Sequence, residues 1–290
     1  MKRFIVLSMA ILLAISLCSC TGNISKKDLK KIYVVEDGAP SWWKDATLIS
    51  DKVKYSVESS IPSEKVVKLG GVDHTLKYKD TLYYPVGQRT LHRYFVDGNE
   101  EQTVLIDGNG KVNDILYEYT VLDITKETAP NDVFELLKVE LAKNFDLSRY
   151  EHVEIPEQAQ ESEESWIYDY RFLNKENGYI TEYLRASVSD DGSVFGVRVH
   201  NLNASELNLD IDKKKEQQAI ELKLKDIYNT DSYKYRSYKV AFEPHVTTYN
   251  DQVCIEYSVA VKYVDSQNEE IGELSSFLLR LLVPVEVISN

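Results

Sequence analysis

The segment Leu105-Ile106-Asp107-Gly108-Asn109-Gly110-Lys111-Val112 encloses a polar, glycine-rich turn between two apolar ends. Glycine, asparagine and aspartate readily adopt the backbone angles of tight turns, so the segment predicts a β-hairpin. A second segment, Ser187-Val188-Ser189-Asp190-Asp191-Gly192-Ser193-Val194, aligns with it, with Gly192 on Gly110 and Val194 on Val112. The two segments therefore indicate an internal repeat.

Strand-like segments surround both hairpins. Their alternating β-branched and aromatic residues suit a half-buried pleated surface. They comprise residues 90–96, 102–106, 166–172 and 253–261. Polar clusters that favour tight turns lie at residues 97–99, 107–110, 176–178 and 190–192. The pattern predicts antiparallel strands joined by hairpins.

Three windows carry apolar residues at helical spacing. The first window, about 45–59, repeats Ile49, Val53 and Val57. The second opens at Thr128-Ala129-Pro130, which offers a cap and an early proline, and the third covers about 212–228. The starts imply a period of roughly 80 to 85 residues. We therefore predict an α+β fold of about three repeated units, each one helix packed on an antiparallel sheet of three or four strands.

This repeat, together with the N-terminal pattern described below, divides the chain into five segments. They are a signal peptide (1–19), a tether (20–40) and three α+β units (41–124, 125–210 and 211–290).

The strands and hairpins of Val104–Val112 and Ala186–Val197 resemble the PepSY-like repeats of secreted bacterial proteins. In that family a helix precedes a strand, an aspartate-glycine hairpin and a valine-bearing strand. The resemblance covers about a quarter of this chain. It implies a non-enzymatic module at the cell envelope, with peptidase modulation as one role proposed for the family.

The first twenty residues carry an export pattern. Lys2 and Arg3 precede an apolar stretch from Phe4 to Leu17 that is shorter than the ~20 residues of a membrane-spanning helix. Leu17-Cys18-Ser19-Cys20 resembles the lipobox of bacterial lipoproteins, although that family prefers a small residue at the position of Cys18. The resemblance implies cleavage before Cys20 and acylation of its sulfur. We therefore expect an anchor at the extracytoplasmic face of the cell membrane or outer membrane; the alternative is an ordinary secretory signal.

The composition is acidic, with a formal charge of -13. Loss of Lys2 and Arg3 with the signal peptide leaves 32 basic against 47 acidic residues, a charge of -15. This charge repels phosphate backbones and anionic lipid, so we expect no nucleic-acid partner and no peripheral membrane binding. The partners we expect are the membrane, through the lipid anchor, and an envelope protein, peptide or glycan.

Cysteine and tryptophan residues give two further expectations. Cys254 lies in an apolar alternating context and predicts a buried strand residue rather than a nucleophile. Trp42 and Trp43, next to Pro40, form a candidate binding surface that could rest on lipid headgroups or stack on a sugar. The alternative, which we favour, is that both cap the first helix as core residues.

The remaining motifs point to no catalytic, metal or cofactor site. An EF-hand register on Gly110 would put Leu105 and Leu116 at positions that need oxygen ligands, so a hairpin turn is favoured. The five histidines have no metal-ligand spacing, and no nucleophile elbow or Walker loop occurs. The acidic run around Glu161, Glu163 and Glu164 indicates a loop.

These observations predict a membrane-tethered, extracytoplasmic lipoprotein that acts as a non-enzymatic binding or interaction module. Two alternatives remain open: an envelope-polymer hydrolase whose acidic residues the sequence does not identify, and a peptidase-modulating PepSY-like module. A deep pocket with convergent titratable groups would favour the hydrolase.

Overall fold

The computed structural model describes residues 24–125, 127–156, 160–161, 166–201, 207, 209–267, 274–275 and 278–289. The predicted signal peptide and Cys20 lie outside these residues. The chain divides into two compact units. Unit 1 holds the described residues of Met1–Ile49, Leu209–Phe242 and Ile255–Asn290, and unit 2 those of Ser50–Asn208 and Glu243–Cys254.

Strands dominate the structure, at 49% against 16% for helix. The helices are α1 (Lys26–Leu29), α2 (Pro130–Leu141), α3 (Lys213–Tyr228) and α4 (Val285–Ile288), with a 3₁₀ turn at Leu147–Arg149. The strands are β1 (Tyr33–Val35), β2 (Leu48–Ile49), β3 (Lys54–Ser56), β4 (Glu64–Leu69), β5 (Val72–Tyr84), β6 (Arg89–Val96), β7 (Asn99–Asp107), β8 (Val112–Ile115), β9 (Thr120–Val121), β10 (His152–Glu154), β11 (Gln160–Glu161), β12 (Trp166–Glu176), β13 (Tyr179–Ser189), β14 (Ser193–Asn201), β15 (Tyr233–Val240), β16 (His245–Tyr249), β17 (Gln252–Asp265), β18 (Leu274–Ser275) and β19 (Leu279–Pro284).

Unit 2 is built on a long antiparallel ladder. Its strand order is β4-β5-β6-β7-β8-β14-β13-β12-β10. Further strands join at three places: β3 on β5, β9 on β14, and β11 on β12. One parallel bridge connects β13 with β16. The ladder satisfies the backbone polar groups of strands whose side chains are buried.

Hydrophobic cores stabilise unit 2, among them a small one formed by Leu82, Leu91 and Leu105. In the larger core, Val133, Leu137 and Leu141 of α2 pack with buried residues of β8 and β12–β14. In the second core, residues of β4–β7 surround Leu76 and Tyr94. The helix therefore covers one part of the ladder, and strands provide the buried residues of the second core.

In unit 1, β1 lies between β2, to which it is parallel, and β19, to which it is antiparallel. β17 pairs with β15 and β18 in antiparallel register and with β19. Helix α3 contacts β15, β19 and α4. It buries Ala219, Ile220, Leu224, Ile227 and Tyr228.

The predicted fold class, about three helix-on-sheet repeats, is wrong. Strand β8, in the predicted unit 41–124, pairs with β14, in the predicted unit 125–210, through Ile115 and Val197. The ladder thus continues across the predicted boundary, because the open edges of two sheets gain hydrogen bonds by pairing. The structure therefore consists mainly of strands, and its helices do not mark a repeat.

The first predicted helix, about 45–59, is also wrong, since β2 and β3 occupy this window. Ile49 is buried, whereas Val57, on the same predicted helical face, is 79% exposed. Val53 and Val57 are β-branched and favour extended backbone, so their helical spacing was coincidental. The folded part also begins before the predicted start at residue 41, because Val34 and Val35 of β1, inside the predicted tether, are fully buried.

The second and third helical windows are confirmed as α2 and α3. Pro130 is in the first turn of α2, but its N-cap Ala129 has no side-chain hydrogen bond, so the predicted cap is absent. Asp212 caps α3 by accepting hydrogen bonds from the backbone N–H groups of Lys214 and Lys215. This cap offsets the lysines at the positive end of the helix dipole.

The predicted hairpin turns are confirmed. Asp97-Gly98 and Asn177-Gly178 connect β6–β7 and β12–β13, and all four residues have positive φ angles. Two successive left-handed residues match the twist of the flanking strands. No helix in the described part of the chain combines the length and apolar content needed to cross a bilayer.

Candidate functional site

The two tryptophans of the predicted binding surface differ in exposure. Trp43 is buried, and the ammonium nitrogen of Lys223 lies 4.9 Å from its ring centroid. Trp42 is 39% exposed. The interpretation that both are core residues therefore holds for Trp43, and only Trp42 presents surface to a ligand.

Trp42 belongs to an aromatic cluster with Tyr228, Tyr233 and Tyr263 of unit 1. Its ring stacks on Tyr233 with centroids 4.4 Å apart and meets Tyr228 and Tyr263 edge-on at 6.2 Å and 6.0 Å. Its indole N–H donates a hydrogen bond to the carbonyl of Ile227 at 3.3 Å. The ring is thus held by contacts within unit 1, which is a packing role.

Replacing Trp42 by alanine is therefore expected to lower the free energy of unfolding by about 2 kcal/mol, because the change removes aromatic contacts and an indole hydrogen bond. Urea unfolding followed by circular dichroism measures the loss. Phe242→Ala is the matched control in unit 1, since Phe242 is 62% exposed and should change stability by less than about 0.5 kcal/mol. Equal effects of the two substitutions would contradict the packing role.

A polar cleft lies in unit 2, and we call it the unit 2 cleft. Its volume is about 630 Å³, within the range of small-ligand sites. The start of β6, the β7–β8 turn and the segment after α2 form its walls. Its lining consists of Gln88, Arg89, Thr90, Leu91, Asp107, Asn109, Lys111, Val112, Asn113, Asn144, Phe145, Asp146, Arg149, Tyr150 and Val199.

Both carboxylates of the cleft hold the local backbone. Asp107 accepts hydrogen bonds from the backbone N–H groups of Asn109 and Lys111 at 2.9 and 2.8 Å. Asp146 accepts from the hydroxyl and backbone N–H of Ser148, and these bonds hold its pKa below the usual range. A general acid needs a raised pKa, so Asp146 is unsuited to that role.

The cationic side chains of the cleft have fewer hydrogen-bond and ion-pair partners than the carboxylates. Arg149 is paired with Glu182. Arg89 donates from Nη1 to the carbonyl of Val199 at 3.1 Å, while its buried Nε has no hydrogen-bond partner among the described residues. Lys111 is exposed, and its ammonium forms no ion pair with a described residue. Lys111 therefore leaves donors for an anionic ligand, and Arg89 adds positive charge to the cleft wall.

Asp114 is the acid behind the cleft wall. Its side chain is 7% exposed, and burial raises its pKa to about 6, against the opposing charges of Arg89 and Arg198. The Asp114 carboxyl thus has a raised pKa but does not line the cleft. We therefore expect its protonation to affect folding stability and not ligand contact.

Of the other sequence candidates, His74 bonds to Asp97 and His92 to Thr81. His200 stacks on Tyr183 and meets His245 edge-on with ring centroids 5.5 Å apart. Cys254 is fully buried, as predicted. Glu163 and Glu164 lie outside the described residues. Within the described ranges, no group of three or more His, Cys, Asp or Glu residues could hold a metal.

Sequence reasoning placed Lys111 correctly in a hairpin turn but missed its position in a cleft. The only hint in the sequence was that Lys111 directly follows the turn glycine Gly110. Arg89 and Arg149 carried no local signal, because they reach the cleft from segments far apart in the chain.

Comparisons with known proteins add little. No family model matches the chain, and no curated protein matches it. A search of solved structures found "Crystal structure of MucB" at 9% identity and a TM-score of 0.12, covering 77% of this chain and 86% of that one. A likeness at this TM-score carries no argument about fold or function.

Proposed function

We propose that the protein is a membrane-tethered, extracytoplasmic lipoprotein that binds a small anionic ligand in the unit 2 cleft without turning it over. The observation that carries the proposal is the difference in hydrogen bonding between the carboxylates and the lysine of the cleft. In both Asp107 and Asp146 the oxygen Oδ1 accepts hydrogen bonds from backbone or hydroxyl donors, whereas the exposed ammonium of Lys111 forms no ion pair with a described residue. A site of this kind recognises carboxylate or phosphate oxygens, and the lowered pKa of Asp146 does not suit a general acid.

The lipid anchor rests on the lipobox at Leu17–Cys20. Several acyl chains on one cysteine, at ~0.8 kcal/mol per buried methylene, would hold the protein at the bilayer permanently. Mass spectrometry of the mature N-terminal peptide tests this, and we expect an acylated peptide that starts at Cys20. An unmodified N-terminus at another residue would rule out the anchor, as would membrane retention of a Cys20→Ser variant at the wild-type level.

The ligand class is tested with glucuronate, a sugar that carries one carboxylate, against glucose as the neutral control. Isothermal titration is expected to show binding of glucuronate only. Lys111→Gln should weaken it about tenfold or more, because a charge-assisted hydrogen bond contributes about 1.5–3 kcal/mol. Lys77→Gln, an exposed lysine of β5 that does not line the cleft, is the matched control and should bind like wild type.

Two results would contradict this assignment. One is equal binding of glucose and glucuronate, since the proposal depends on the anionic group. The other is release of new reducing ends from a glucuronate-containing polymer during incubation, which would favour the hydrolase alternative.

A further inference from the structure

A cluster of lysines surrounds α1 in unit 1, and we call it the α1 basic patch. Residues 26–31 contain four lysines and one aspartate, a formal charge of +3 in a chain of -13. Lys26, Lys27 and Lys30 are exposed. Lys31 pairs with Glu286 at 2.8 Å. The charge at this place is thus opposite in sign to that of the whole chain.

The patch is held rigidly. Ser25 and Asp28 form a reciprocal capping box around the start of α1. The buried Lys223 donates from Nζ to the carbonyl of Leu29 at 3.3 Å, and Ile32, directly after the lysines, is fully buried. The three exposed lysines therefore sit on a fixed turn.

The acids that face these lysines are each engaged by another donor. Asp28 accepts from Ser25, Asp45 accepts from Thr47, and Glu286 accepts from Lys31. They reduce the positive charge of the patch without matching it, because Lys26, Lys27 and Lys30 have no ion pair with a described residue.

Distance from the anchor decides which surface the patch meets. Lys26 lies six residues beyond Cys20, so the extended chain allows a separation of at most about 21 Å. Charges beyond ~8 Å are largely screened at physiological salt, so local charge outweighs the acidity of the remaining chain. The expectation from net charge, that anionic lipid is repelled, therefore does not apply at this place.

We propose that the α1 basic patch contacts anionic phospholipid headgroups of the bilayer that holds the anchor, and so orients unit 1 on the membrane. This inference rests on the proposed lipidation of Cys20. Lysine clusters next to a lipid anchor are a known means of binding anionic membrane surfaces.

The test uses the acylated full chain reconstituted into vesicles of phosphatidylcholine alone or with phosphatidylglycerol. A membrane-impermeant amine reagent labels lysines, and peptide mapping gives the rate at each site. We expect labelling of Lys26, Lys27 and Lys30 to be roughly fivefold slower on the anionic vesicles, the factor for one lysine–headgroup interaction. About 1 M NaCl should abolish the difference by screening.

Lys52, Lys68 and Lys77 of unit 2 serve as internal controls, since they are exposed and far from Cys20 in sequence. Their labelling should be equal in both vesicle types. Equal labelling of the patch in both vesicle types, with the protein acylated and vesicle-bound, would overturn this inference alone. If mass spectrometry shows that the purified protein carries no acyl group at Cys20, the proposed anchor and this inference are overturned together.

Discussion

Alanine in place of Gly192 is expected to lower the free energy of unfolding by about 3–4 kcal/mol, the sum of a left-handed backbone penalty and an overpacking cost. Gly192 closes the β13–β14 hairpin with a φ of +90°. Its carbonyl accepts a hydrogen bond from the N–H of Leu122 at 2.9 Å. A methyl group at this position would overlap the carbonyl oxygen of Leu122, which the hairpin cannot move without breaking that bond.

Gly98→Ala provides the matched control. Gly98 also closes a hairpin of unit 2 with a positive φ, +78°, but an added methyl group would meet no atom within 4 Å. Only the backbone penalty of about 1 kcal/mol should remain. Urea unfolding of both variants measures the difference, and equal losses would show that the contact with Leu122 does not stabilise the hairpin.

Asp114→Asn is expected to change the pH dependence of stability by about 3 kcal/mol, since a pKa difference of one unit corresponds to about 1.4 kcal/mol. The folded-state pKa of Asp114 is about 6, above the 3.8 that is usual for an aspartate. Between these values the folded protein keeps a proton that the unfolded chain has released. The contribution of Asp114 to the free energy of unfolding is therefore fully present below pH 3.8 and is lost as the pH rises through 6.

The asparagine variant lacks this titration. Its free energy of unfolding, relative to wild type, should therefore rise by about 3 kcal/mol between about pH 3.5 and about pH 7.5. Asp73→Asn removes the same formal charge at an exposed position of β5 and controls for net charge. A difference that stays constant over this range would show that burial does not raise the pKa of Asp114.

Structure that depends on residues close in sequence was predictable, whereas structure that depends on distant contacts was not. The turns at Asp97-Gly98 and Asn177-Gly178 and the helix that starts at Pro130 were predictable, because glycine, asparagine and proline restrict the backbone locally. The supposed helix of 45–59 failed, since its apolar spacing suited either structure and β1 offered Leu48 and Ile49 a strand partner. The repeat failed because β8 and β14 pair across the predicted boundary.

The candidate site shows the same division. Lys111 lies in the predicted hairpin of residues 105–112, but no residue near it in sequence predicts that Arg89, Asp146 and Arg149 line the same cleft. The same holds for Asp114, whose raised pKa reflects burial by distant strands. Long-range packing creates both the cleft and its electrostatics.

By itself, the sequence determined the hairpin turns, two helices, the burial of Cys254 and the acidic composition, and it predicts the lipid anchor at Cys20. Each of these depends on residues that are neighbours in the chain. Only the tertiary structure decided that Trp43 is buried while Trp42 is exposed, that one ladder replaces the predicted repeats, and which cations line the unit 2 cleft. The physical reason is that strand pairing and desolvation join segments far apart in sequence, and a local pattern does not specify its distant partner.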